Sequence, residues 1–146
     1  MTSHQENSRP AMLRPDGMPV PLGLYSHASQ VTTGSDLVFV AGQLAVGSDG
    51  EVVGVRDFEA QTRQAFANVR AVLTGAGLEP GHVAKFTTYL SDAAFVEPFY
   101  QTREKLFAEW YPEGDFPPNT LLVVARLVRP EFMVEIEAIA ARGPGA

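Results

Sequence analysis

No cysteine occurs in the 146-residue chain, and histidine occurs only three times, as His4, His27 and His82. The first absence excludes disulfide scaffolds, Cys-ligated zinc, iron–sulfur clusters, thioredoxin-like redox chemistry and thiol nucleophiles. The second leaves little for a His-rich metal site, because His4 lies in a polar tail and neither other histidine has a partner at metal spacing. Basic residues are also scarce. Eleven Lys and Arg stand against 17 Asp and Glu, a net charge of −6, and the pI is near 5.0. That balance speaks against nucleic acid, which wants a concentrated basic face. No stretch approaches the roughly 18 continuous apolar residues of a membrane span. Residues 1–21 hold four of the 11 prolines and no apolar run long enough for a signal-peptide core. These absences predict a soluble, cytoplasmic protein whose chemistry falls to Tyr, Glu, Arg, Asn and backbone groups.

What remains is one domain's worth of ordered pattern. Residues 1–21 read as a flexible or extended arm, residues 22–142 as the single domain, and residues 143–146 as a frayed tail. Within the domain, residues 25–31 and 37–43 are β-rich runs parted by the turn Thr33-Gly34-Ser35-Asp36. A short strand is expected at 51–53. Asp57 is a plausible N-cap for a helix to about residue 76, in which Phe58, Ala65, Phe66, Val69, Val72 and Leu73 recur at helical spacing. Residues 83–90 predict a strand, and a second helix runs from about 95 or 98 to 110. Strands at 120–127 and 133–141 follow, joined by the turn-like Val128-Arg129-Pro130-Glu131. The order β-β-β-α-β-α-β-β predicts an α+β domain with two helices on one face of a single sheet. The other face is then bare yet apolar, which predicts self-association.

Several polar residues stand out, each with two readings. Glu135 and Glu137 alternate with Val134, Ile136 and Ala138 and therefore share one face of the last strand, either as a solvated surface or as paired carboxylates. If the last two strands form a hairpin, Arg126 meets Glu135 diagonally, as a structural ion pair or as part of a site. Tyr25 opens the first β-rich run, as a packing ring or a ligand contact. In Ala41-Gly42-Gln43, Gly42 allows a bulge or the close approach of a ligand. In Phe116-Pro117-Pro118-Asn119-Thr120, two prolines stiffen the chain and fix where Asn119 and Thr120 project. No phosphate-cradling glycine loop or nucleophile elbow is present.

Taken together these segments resemble a known family. Gly23-Leu24-Tyr25-Ser26-His27-Ala28 followed by Leu37-Val38-Phe39-Val40-Ala41-Gly42-Gln43 is similar to the "GPYS-x-A … fvSGQ" opening of the Rid (RidA/YjgF) reactive-intermediate deaminases. The likeness continues through Gln61-Thr62-Arg63-Gln64, Asn68-Val69, Val124-Ala125-Arg126-Leu127 and Val134-Glu135-Ile136-Glu137-Ala138-Ile139-Ala140. The resemblance implies a chorismate-mutase-like fold, a homotrimeric barrel, and clefts between subunits that hydrolyse small imines or enamines without metal or organic cofactor. By position, Tyr25 and Glu135 match the family's cleft tyrosine and its water-handling glutamate, and Gly42 its site-lining glycine.

The departures fall on one half of that cleft. Deaminating members carry Arg in a P-x-R-[ST] segment, where a guanidinium fork holds the substrate carboxylate, and here Asn119 takes that place beside Thr120. Asn offers neutral donors only. Loss of a charge-assisted clamp worth roughly 1.5–3 kcal/mol weakens binding of an amino-acid-derived imine by about one to two orders of magnitude. Ala41 replaces the family serine, and Leu121 stands where many members have cysteine. A replacement guanidinium would have to come from a residue such as Arg103 or Arg126. The resulting expectation is a trimer processing a small imine, enamine or related metabolite, with no nucleic-acid or membrane partner. The alternative is a non-catalytic metabolite-binding or protein-interaction trimer on the same scaffold, and ribonuclease activity is disfavoured by the acidic balance.

Overall fold

The structure is a computed structural model that describes residues 8–145. The expectations for residues 1–7 of the arm, with His4, and for Ala146 of the tail lie outside the described residues. The elements, in chain order, are β1 Ala11–Leu13, β2 Ala28–Gln30, β3 Asp36–Gln43, α1 Phe58–Gly75, β4 Val83–Leu90, α2 Val96–Trp110, β5 Asn119–Val123 and β6 Val134–Arg142. β1 and β2 pair as a separate antiparallel ribbon. The other four strands form a mixed sheet in the order β3-β6-β4-β5, in which only β4 and β5 run parallel.

Local chemistry accounts for the helices. The Asp57 carboxylate accepts from Ala60 N–H at 3.0 Å and caps α1, satisfying one of the donors a helix start leaves free. After Gly75 the chain turns through Gly77 at φ 73, a conformation that favours glycine. The stripe Ala65, Phe66, Val69 and Leu73 is buried against the sheet together with Phe99 and Phe107 of α2. Phe66 makes edge-to-face contacts with Phe86 at 5.9 Å and Phe107 at 5.8 Å, the geometry aromatic quadrupoles favour. Both helices therefore cover one sheet face, the expected α+β layering.

β6 shows how the sheet is divided. Val134, Ile136, Ala138 and Ala140 are buried towards the helices, while Glu135, Glu137 and Ile139 alternate onto the opposite face. Register adds Phe39, Lys85, Thr87, Tyr89, Thr120 and Leu122 to that open face. Phe39 is 72% exposed there.

Three expectations are corrected. Residues 51–53 form no strand, only the single bridge Val46–Val52. The run at 25–31 shortens to β2, which leaves the main sheet to pair with Ala11–Leu13 of the expected arm, so the element order holds with different opening strands. β5 is not hairpinned to β6. The β4-α2-β5 crossover returns β5 parallel to β4, as a helical connection requires, and β6 inserts between β3 and β4. At the other end, Gly143 is buried and donates its N–H to Ser8 O at 2.8 Å, so this residue of the expected tail is held in place.

Candidate active site on the open sheet face

Glu135 sits where β3 is irregular. Val40 pairs with Ala138 and Gln43 with Ile136, so one extra β3 residue is accommodated across that interval, the count of a bulge. Gly42 lies against the Glu135 side chain. A Cβ at position 42 would overlap the carboxylate and come within 2.7 Å of Cδ and 2.9 Å of Cγ. Glycine is thus set here by the space the carboxylate arm occupies. Ala41 is exposed and its carbonyl accepts from the Gln43 amide at 3.0 Å.

Across the open face, Glu135 pairs with Tyr89 and Glu137 with Thr87. The Tyr89 hydroxyl donates to Glu137 Oε1 at 3.5 Å. Tyr89, Glu135 and Glu137, with Val124, Arg126, Leu127 and Val128, line a cavity of about 310 Å³. Burial raises the Glu135 carboxyl above its usual value, and the neighbouring Glu137 charge pushes it the same way.

The expected Arg126–Glu135 ion pair does not form. The Arg126 guanidinium donates from Nε to Leu127 O and from Nη2 to Val128 O, both at 3.1 Å. Its segment follows β5 away from β6, which removes the hairpin that a diagonal pair requires. Arg126 still shares the cavity with Glu135, as a cation held by backbone carbonyls.

The pH consequence has a definite sign. The folded chain holds the Glu135 proton more tightly than the unfolded chain, so stability falls as pH rises from the ordinary carboxyl value of 4.5 towards the folded one. Glu135→Gln is therefore expected to be more stable than wild type at neutral pH. The advantage should vanish well below pH 4.5, as urea unfolding at the two pH values will show.

The remaining candidates lie apart. Asn119 faces the helix side of the sheet, where its Oδ1 accepts from the buried Thr88 hydroxyl at 2.9 Å. Its amide donors have no partner among the described residues. Thr120 is exposed on the Glu137 face. Tyr25 lies beneath the proline-rich arm. Its hydroxyl accepts from Leu22 N–H at 3.2 Å, its ring meets His27 edge-on at 6.1 Å, and His27 Nε2 donates to Pro19 O at 2.7 Å. Arm residues 14–21 with Gly23, Tyr25, His27, Gly114 and Phe116 line a second, open cavity of about 600 Å³. One chain thus unites Gly42, Glu135 and Arg126 but not Tyr25 or Asn119. Sequence reasoning missed Tyr89, whose link to Glu137 depends on the β4–β6 register.

Among the described residues no group of three or more His, Asp or Glu gathers in metal-binding geometry, and no helix is long and apolar enough to cross a membrane.

Two helices on one face of a four-stranded mixed sheet, with paired glutamates on the other, define the class: a Rid-type α+β domain. The Endoribonuclease L-PSP family profile matches residues 17–142. The chain is 34% identical over 122 residues to the 2-iminobutanoate/2-iminopropanoate deaminase of Salmonella typhimurium, covering 84% of this chain and 91% of that protein. It is 31% identical over 129 residues to the 3-aminoacrylate deaminase RutC of Acinetobacter baylyi, covering 88% and 95%. Among solved structures it is similar to YyfB of Yersinia pestis, a protein of the conserved Rid family, at a TM-score of 0.80 and 32% identity over 90% of this chain and 98% of that one. The chain belongs to the Rid (YjgF) family.

Proposed function

We propose that the protein is a trimeric, cofactor-independent hydrolase of small imines or enamines, with Glu135 as the group that handles water. The observation that carries this reading is the Gly42 notch holding a half-buried carboxylate whose proton affinity is raised. A carboxyl titrating closer to neutrality is better matched to proton transfer in both directions. Glu135 takes a proton from water as the oxygen adds to the imine carbon, and the imine nitrogen gains a proton. Collapse of the carbinolamine then expels ammonia and leaves the carbonyl product. An enamine first takes a proton on carbon to become the imine. The two deaminases similar to this chain act on imines and an enamine by name, which supports the reading.

Assembly is part of the proposal. Tyr25 and Asn119 lie away from Glu135 within one chain, so a cleft containing all three needs residues from neighbouring copies. The open face carries Leu37, Phe39 and Leu122 exposed, an apolar surface suited to burial against other copies. Phe39→Asp is expected to convert a trimer to monomer, which light scattering after size-exclusion chromatography reads directly.

Asn119 determines which substrate is favoured. Without a guanidinium at this position, 2-iminopropanoate is expected to turn over slowly, and Asn119→Arg to raise its kcat/KM by about 10- to 100-fold. The measurement is the competition between enzymatic hydrolysis and semicarbazide trapping of imine generated in situ. Wild-type turnover as fast as that of an Arg-bearing relative would contradict this reading of Asn119. The net charge of −6 disfavours ribonuclease action, despite the name of the family profile, because it opposes phosphate affinity.

A further inference from the structure

Arg103, on α2, is only 2% exposed, and none of its guanidinium donors reaches an acceptor among the described residues; Nε and Nη1 are fully buried without a partner. Phe99, Tyr100 and Phe107 surround it, with the guanidinium carbon 5.2, 5.0 and 5.7 Å from the ring centres. Ring faces attract the charge, but they do not replace the hydrogen bonds a planar, permanently charged fork surrenders on leaving water. A buried guanidinium with no anion is half of a pair.

The position of this half-pair indicates where the other half belongs. A Cβ on Gly23 would lie 3.1 Å from Arg103 Nη2, so the guanidinium lies directly behind a glycine. Gly23 also lines the 600 Å³ cavity with Tyr25 and His27. The absence of a side chain at Gly23 therefore lets the guanidinium pack against the backbone of the cavity wall, from the side away from the cavity. The Tyr25 ring flanks the same position, 3.8 Å from where a Gly23 Cβ would lie. Ser26, the next residue, also has a buried hydroxyl with no partner among the described residues.

We propose that Arg103 is the anion receptor of the Tyr25 cavity, taking the carboxylate of a small organic acid at the Gly23 wall, where only a glycine backbone separates the guanidinium from the cavity. This proposal rests on the reading of Tyr25 as a cleft residue. It also refines the substrate class. The cleft would hold an anionic group at its Tyr25 end and a neutral group at its Asn119 end, favouring substrates whose carboxylate is not directed at position 119.

The test is the Arg103 side-chain Nε–H resonance of the full-length protein titrated with pyruvate and, separately, with the uncharged isostere pyruvamide. The expected result is a saturable shift with pyruvate at a Kd of about 1 mM or below, with pyruvamide at least tenfold weaker. Gly23→Ala should weaken pyruvate about tenfold, and Arg70→Met, on the exposed face of α1, should leave it unchanged. Arg103→Lys keeps a charge without the planar fork and should also bind more weakly. A resonance that does not respond, an equal response to pyruvamide, or undiminished binding in a folded Arg103 variant would each overturn the proposal. The first would make Arg103 a structural cation or the partner of another subunit's carboxylate. Pyruvate undergoes no deamination, so a failed binding test is separable from a failed imine assay.

Discussion

Glu135→Gln is expected to lower imine hydrolysis by roughly 10²- to 10⁴-fold, the range in which a positioned general acid–base group operates. Gln keeps the shape and one acceptor but cannot take a proton from water or return it to nitrogen. The fall should appear in kcat more than in KM, because the lost interaction belongs to the transition state. The pH profile should change with it. Wild-type activity should decline on an acid limb above the ordinary carboxyl value, since burial and Glu137 both raise Glu135. The residual activity of the variant should lack that limb. A variant inactive because it is misfolded would also lose the wild-type circular dichroism spectrum and elution volume, so each sample is checked for both.

Gly42→Ala is expected to reduce activity by about 10²-fold although it adds a single methyl. That methyl would lie within 2.7 Å of Glu135 Cδ and 2.9 Å of Cγ, so the entire carboxylate arm must swing aside. A displacement of about 1 Å at a catalytic group is enough for such a loss. Overpacking should also destabilise the fold by about 1–3 kcal/mol. The double variant separates this mechanism from general damage to β3. With Glu135→Ala in place the colliding atoms are gone, and adding Gly42→Ala should then cost little in stability. The two effects should couple strongly, as contacting residues do. Additive losses would mean that Gly42 serves the backbone irregularity alone.

Legibility in the sequence followed the range of the interactions. The β4 expectation at 83–90 coincides with the observed strand, and α1 begins at the expected Asp57 cap, because local capping and periodicity determine both. The alternation on β6 was legible for the same reason, and with it the shared face of Glu135 and Glu137. Pairing partners were not. Nothing local says that β5 returns parallel to β4 and leaves β6 between β3 and β4. The Arg126–Glu135 pair failed on that point. Residues 11–13 carry a weak strand pattern of their own and become β1 only because β2 offers an edge. Arg103 illustrates a further limit, since the sequence offers it as a replacement guanidinium but does not show that it is buried among Phe99, Tyr100 and Phe107. The family likeness implies a Tyr25–Glu135 pairing, whereas one chain holds the two residues in separate cavities.

The decisive measurement is hydrolysis of a panel of small imines and enamines, some with and some without a carboxylate next to the imine carbon. Wild type, Glu135→Gln and Asn119→Arg are compared under semicarbazide competition. Wild type is expected to accelerate at least one member of the panel, with 2-iminopropanoate among the slower ones. Glu135→Gln should remove that acceleration by 10²-fold or more, and Asn119→Arg should shift preference towards 2-iminopropanoate. Failure of wild type to accelerate any imine or enamine, or full activity in Glu135→Gln, would contradict a hydrolytic cleft built on Glu135.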